Sequence, residues 1–86
     1  MTAFIYKDRY RFEVRKTLNG YVVWITNLTT GYGCEADGKT CAMLEGDFCF
    51  PRQWKSYYNG NQRDEAHKAL QQLASLNEMN TMQYQN

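Results

Sequence analysis

The residues best suited to chemistry cluster between Gly33 and His67. Gly33, Gly38, Lys39 and Thr40 stand at the spacing G-x-x-x-x-G-K-S/T. In a phosphate-binding loop, backbone N–H groups of such a segment curl round phosphates. The Lys sits on the outer phosphates and the hydroxyl on Mg²⁺. That loop must open a long helix, and Gly46 and Pro51 leave no room for one. Glu35 and Asp37 would also repel phosphate. A hairpin turn at Asp37–Gly38 accounts for the same letters. Cys34, Cys41, Cys49 and His67 supply four potential zinc ligands, but with 6, 7 and 17 residues between them they contain no C-x2-C knuckle. Three cysteines with no leader pattern read as reduced thiols in a cytoplasmic setting, with Cys34 and Cys41 placed to pair only under oxidation. His67 is the only histidine. Catalysis by Cys and His needs an oriented pair and a third group, and no pattern marks one. The expectation is therefore no catalytic residue, no metal, no cofactor and no enzymatic activity.

Charge is the more informative signal. The 86 residues carry 10 Lys+Arg against 9 Asp+Glu, for a net charge of +1. Residues 1–16 hold Lys7, Arg9, Arg11, Arg15 and Lys16 against Asp8 and Glu13. Residues 17–50 hold Lys39 against Glu35, Asp37, Glu45 and Asp47. A basic start and an acidic middle can orient a partner more than they supply bulk affinity. Read as one strand, residues 3–16 put Lys7, Arg9, Arg11 and Arg15 on one side at steps of about 7 Å. That spacing suits successive phosphates of a nucleic acid, with Trp24 beside Arg15 as a stacking surface. Ion pairing within the sheet, Arg11 with Glu13, is the plainer use of the same residues. Exposed Arg, Trp and Tyr are also the types enriched in protein-binding hot spots. The expected partner-binding residues are Lys7, Arg9, Arg11, Arg15, Trp24, Glu35 and Asp37.

These side chains need elements to hold them. Leu, Ile, Val and Phe make up under a fifth of the chain, a level that warns of disorder. The low net charge opposes that reading, and 7 Tyr and 2 Trp supply buriable area. An aromatic core is expected. Phe4, Tyr6, Tyr10, Phe12 and Val14 alternate with charged residues, which predicts a strand over 3–16, with a bulge or break at Lys7–Asp8. Asn19–Gly20 predicts a two-residue hairpin turn, and 21–28 a second strand. The pairs expected from that turn are Val14 with Ile25, Lys16 with Val23, Phe12 with Asn27 and Arg15 with Trp24. Phe12, Val14, Val23 and Ile25 then share one face, and Arg11, Glu13, Arg15, Val22, Trp24 and Leu28 the other. A second hairpin about Asp37–Gly38 would oppose Ala36 to Lys39, Glu35 to Thr40, Cys34 to Cys41 and Tyr32 to Met43. Residues 45–50 would add a short extended piece. Trp54, Tyr57 and Tyr58, at i, i+3 and i+4 after Pro51, predict a short helical turn ended by Asn59–Gly60. Ala66, Ala69, Leu70, Leu73 and Leu76 predict an amphipathic helix over about 62–77 with Asn61 as N-cap.

The fold class that follows is α+β: a small antiparallel sheet of three or four strands in two hairpins, with a C-terminal helix on one face. Residues 1–77 form the expected single domain and 78–86 a frayed polar tail. No apolar run reaches the roughly 18 residues of a membrane span, so no membrane partner is expected. The order of a basic strand, a hairpin, a further strand and an Ala-rich helix resembles three-strand-plus-helix DNA-binding modules. Phage integrase arm-binding domains and plant DNA-binding domains of that build are examples. That resemblance implies reading of nucleic acid from the strands. In overall make-up the chain also resembles small phage and mobile-element inhibitors of the anti-CRISPR type. This implies a cytoplasmic, non-enzymatic protein that occludes a host protein or nucleoprotein complex. Nucleic-acid binding through the basic first strand is the alternative. The sequence does not fix oligomeric state, and an uncovered strand edge could pair two copies.

Overall fold

The computed structural model describes residues 3–37, 44, 48–77 and 84–85. The class is α+β, with an antiparallel sheet and one helix packed on it. The strands are β1 (Ala3–Tyr6), β2 (Tyr10–Thr17), β3 (Gly20–Asn27), β4 (Gly33–Glu35) and β5 (Tyr57–Asn59). Helix α1 (Arg63–Leu76) and a two-residue β6 (Tyr84–Gln85) follow. The sheet order is β4-β3-β2-β1-β6, with β5 also paired to β3.

The alternating run over 3–16 breaks at Lys7–Asp8, where a bulge or break is expected, but the break is a full reversal that makes two strands. The chain folds back at Lys7–Arg9, so that Phe4 pairs with Phe12 and Tyr6 with Tyr10. Lys7 and Asp8 take left-handed φ of 52° and 55°, and the Arg9 N–H donates to the Tyr6 carbonyl at 3.1 Å. Left-handed backbone costs an L-residue about 1–2 kcal/mol. A Lys–Asp pair therefore carries no turn signal of the Asn-Gly kind. The hairpin is stabilised instead by what its strands bury: Phe4 and Phe12 are fully buried, with stacked rings 4.6 Å apart.

The β2–β3 hairpin turns at Leu18–Asn19, not Asn19–Gly20. Thr17 pairs with Gly20, Val14 with Val23, Phe12 with Ile25, Lys16 with Tyr21 and Arg15 with Val22. The register thus differs by two residues from the expected one. An even shift leaves every side chain on its expected face. The cause lies at Gly20, whose φ is +153°. A Cβ there would stand 2.1 Å from the Tyr58 carbonyl oxygen and 2.9 Å from the Asn59 Cα. The glycine is required for the approach of β5, with which it pairs through Asn59.

Strand β5 replaces the helical turn expected from Trp54, Tyr57 and Tyr58. The edge of β3 at Gly20–Val22 offers backbone partners that a lone helical turn lacks, and Tyr is well suited to a strand. Trp54 lies outside the strand and donates its indole N–H to the Ala36 carbonyl at 2.6 Å. Tyr58 enters the core and donates its hydroxyl to the Lys55 carbonyl at 2.6 Å. Burial, with the Glu65 carboxylate adding to it, raises the Tyr58 phenol above its ordinary pKa of 10.0. One edge of β3 is therefore shared. Strand β5 covers Gly20–Val22 and β4 covers Trp24–Thr26. Between them, Val23 donates to the Ser56 carbonyl at 2.9 Å and accepts from the Ala36 N–H at 2.8 Å. Phe48 to Phe50, expected as extended, form no strand. The pairs expected across Asp37–Gly38 lie outside the described residues.

Helix α1 buries Ala66, Ala69, Leu70, Leu73 and Ala74. It covers the sheet face that carries Phe12, Val14, Val23 and Ile25. Leu76, expected in the stripe, is half-exposed, and Ala74, four residues after Leu70, fills the last buried place. The N-cap is Gln62 without a side-chain bond, not Asn61, because Asn61 still belongs to the turn after Gly60. Asp64 and Glu65 place negative charge in the first turn instead. At the other end Asn77 acts as a peptide surrogate. Its Oδ1 accepts the Cys49 N–H at 2.7 Å, and its Nδ2 donates to the Cys49 carbonyl at 2.8 Å and to the Leu73 carbonyl at 3.0 Å. This clamp fixes the segment that adds Phe48, Phe50 and Trp54 to the core. Phe4, Phe12, Phe48, Phe50 and Trp54 form a continuous run of ring contacts at 4.6 to 5.4 Å. The core is mixed rather than aromatic: Phe4, Tyr6, Tyr10, Phe12 and Tyr58 share it with Val23, Ile25, Leu70 and Leu73, because the helix contributes only aliphatic side chains. No helix of the described residues is long and apolar enough to cross a membrane.

Candidate interaction face

The helix covers one side of the sheet, so the charged parity of β2 and β3 lies on the other. Pairing aligns the residues of that outer face into short rows. Ala3, Glu13, Trp24 and Glu35 form one row, and Ile5, Arg11, Thr26 and Gly33 the next. Arg15, Val22 and Tyr57 form the third.

Glu13 is the hub. Its Oε2 lies 3.1 Å from the Arg15 Nη2 and 3.7 Å from the Arg11 Nε. Arg15 also donates its Nε–H to the same oxygen at 3.3 Å, so the guanidinium is held on two donors. Held in this way, it stands over the Trp24 ring at 4.8 Å. Exposed pairs of this kind contribute about 0–1 kcal/mol each to stability. Their effect is on geometry: a long flexible side chain is fixed in one place.

Trp24 is positioned from below by Gly33. A Cβ at Gly33 would lie 2.5 Å from the indole Nε1 and 3.1 Å from Cε2. Only glycine lets the ring lie across β4. In the same row Glu35 is opposite Trp24 and accepts the Ser56 hydroxyl at 2.6 Å, which orients the carboxylate. At the end of the face Tyr57 donates its hydroxyl to the Asn19 carbonyl.

Four of the expected partner-binding residues thus share this face: Arg11, Arg15, Trp24 and Glu35. The other three do not join them. Lys7 and Arg9 lie in the β1–β2 turn, with the Lys7 ammonium 5.3 Å from the Tyr6 ring centroid. Asp37 follows β4 and is exposed, its N–H bonded to the Glu35 carbonyl at 2.9 Å. The single row of four cations at regular steps is not formed. The chain reverses between Lys7 and Arg11, and Glu13 stands between Arg11 and Arg15. Glu13, Gly33, Ser56 and Tyr57 are the contributors that the expected set omitted. Glu13 alone had a local signal, its shared parity with Arg11 and Arg15.

The other chemistry-bearing residues stay apart. Gly33–Glu35, the start of the phosphate-loop pattern, is a strand paired to β3. Cys34 is half-buried in β4 and Cys49 is exposed before α1, and Cys41 lies outside the described residues. Among the described residues, no three His, Cys, Asp or Glu side chains converge as metal ligands. No family model matches the chain, and neither a curated protein nor a solved structure matches it.

Proposed function

We propose that the protein is a non-catalytic interaction protein that docks on a partner protein through the outer face of its sheet. By overall make-up we further assign it an inhibitory role of the mobile-element kind, exerted by covering a working surface of a host protein or nucleoprotein complex. The observation that carries the docking reading is the Arg15 guanidinium, held by Glu13 over Trp24 on the face opposite α1. Arg and Trp are the residues on which interface energy concentrates. Both are pre-positioned here, so less side-chain freedom is lost on binding. The alternation of Arg11, Glu13, Arg15 and Glu35 favours a partner of matching charge pattern over a uniform polyanion.

The test is capture from a bacterial lysate with the tagged protein, with and without nuclease, beside Arg15→Ala and Arg11→Glu/Arg15→Glu variants. A stoichiometric protein that survives nuclease and is lost with the variants, at unchanged far-UV circular dichroism, supports the reading. Loss of the captured material on nuclease treatment transfers the role to nucleic acid and overturns it.

A further inference from the structure

The outer face runs at one end into the β2–β3 turn, and the tip of that turn is Leu18. A single exposed leucine is ordinary on a protein surface. Leu18 differs in degree, because it is 103% exposed while Leu28 and Leu76 are each 47% exposed. It touches nothing that would account for an apolar side chain there.

The backbone beneath it is fixed from several directions. The Thr17 hydroxyl donates to the Gly20 carbonyl at 3.1 Å and accepts the Asn19 N–H at 3.3 Å. The Asn19 carbonyl accepts from the Tyr57 hydroxyl and from the Gly60 N–H at 3.5 Å. Strand β5 closes on Gly20 so tightly that the turn has no room to fold towards it. The tip is therefore a rigid mount for one aliphatic knob. Its nearest charged neighbour in the chain is the cation Lys16, and Arg15 beyond it is paired with Glu13. No carboxylate occurs from Lys16 through Tyr21. Lys16 is exposed and makes no ion pair among the described residues.

We infer that Leu18 is an anchor that inserts into an apolar pocket on the partner protein, a pocket whose rim carries carboxylates that meet Lys16. This rests on the reading of the outer face as a docking surface, and it names the chemistry of the site that receives it. A rigid tip enters such a pocket without first being ordered. Lys16 adds attraction for an acidic rim.

The experiment uses the full chain with Leu18→Asp, Leu18→Ser and Lys16→Glu variants, and with a benzophenone amino acid at position 18 or 28. Leu18 is outside the core, so the variants are expected to keep the wild-type thermal transition. Partner binding should fall about tenfold or more in Leu18→Asp and Leu18→Ser. It should fall less in Lys16→Glu. The cross-link from position 18 should map to an apolar patch bordered by Asp or Glu, and position 28 should give none. Wild-type binding by Leu18→Asp, or equal cross-linking from both positions, overturns the inference. If Arg15→Ala still abolishes capture in that case, the outer-face reading stands without the anchor. If neither variant matters, both fall. Sedimentation with phosphatidylcholine–phosphatidylglycerol vesicles that is lost in Leu18→Asp would make a lipid surface the occupant and also overturn it.

Discussion

Replacing Gly20 by alanine separates two roles for one glycine. In a tight Asn-Gly turn the residue would matter for its own dihedral angle. Here its α-hydrogen faces β5, and the added methyl would meet backbone atoms at 2.1 and 2.9 Å. Backbone is not the flexible end of a side chain, so the clash is relieved only by moving β5 away. That removes the ladder from Gly20–Val22 to Tyr57–Asn59. At about 1 kcal/mol for each net hydrogen bond, the ladder accounts for about 2 kcal/mol. Uncovering Tyr58, which is 9% exposed, adds about 2 kcal/mol. A loss of about 4 kcal/mol is a large share of the roughly 5–15 kcal/mol that holds a small domain folded. It corresponds to a fall of about 15 °C or more in Tm. Urea unfolding followed by far-UV circular dichroism measures it, with Asn19→Ala as companion. Asn19 has no left-handed φ, so its replacement should cost under about 0.5 kcal/mol. A Gly20→Ala loss below about 1 kcal/mol, or an Asn19→Ala loss as large as that of Gly20→Ala, would refute the reasoning and restore the turn role.

Three further outcomes are expected. The Thr26 Oγ1 is buried without a hydrogen-bond partner among the described residues, so Thr26→Val should stabilise the fold by about 1 kcal/mol in the same urea assay. Asn77→Ala removes three hydrogen bonds between its side chain and the Cys49 and Leu73 backbone. It should cost about 2 kcal/mol and speed amide hydrogen exchange at Cys49; unchanged exchange there would count against the clamp. The Tyr58 phenol has a folded pKa above its unfolded value, so its contribution is intact below pH 10.0 and declines as pH rises through the folded value. Absorbance titration at alkaline pH should show a late-titrating tyrosine that Tyr58→Phe removes.

Much of the scaffold was legible because it rests on periodicity. The alternation about Phe12, Val14, Val23 and Ile25 placed the buried face correctly, even with the hairpin two residues out of register. The spacing of Ala66, Ala69, Leu70 and Leu73 placed the helix. Strand β5 escaped, as did β6, which pairs with β1 inside the tail expected to fray, and the break expected at Lys7–Asp8 is a full reversal. The β1–β2 reversal sits at the expected Lys7–Asp8 break, with both residues at positive φ, which Asp tolerates and Lys rarely adopts, and the Phe4–Phe12 pair stabilises it. Strand β5 carries aromatic residues at a spacing that also suits a helix, and only the open edge of β3 decides between them. The site divides in the same way. Arg15 beside Trp24 was visible from two adjacent strands. Gly33 beneath the indole and Ser56 on Glu35 depend on contacts between remote segments, which no local pattern encodes. Lys7 and Arg9 lie off the face because the reversal puts them in the turn between β1 and β2.

The shared edge of β3 also bears on solubility. Tyr21, Val22, Val23, Trp24 and Ile25 form the most sheet-prone run in the chain, uncharged and free of proline. Such a run with an open edge is a template for aggregation. Here β2 covers one edge along its whole length, while the other is closed by two short segments that meet at Val23. Neither segment alone protects it. Undocking β5 bares the Gly20–Val22 backbone while the rest of the sheet can stay paired, and that partly open form, rather than the unfolded chain, is the species that would seed self-association.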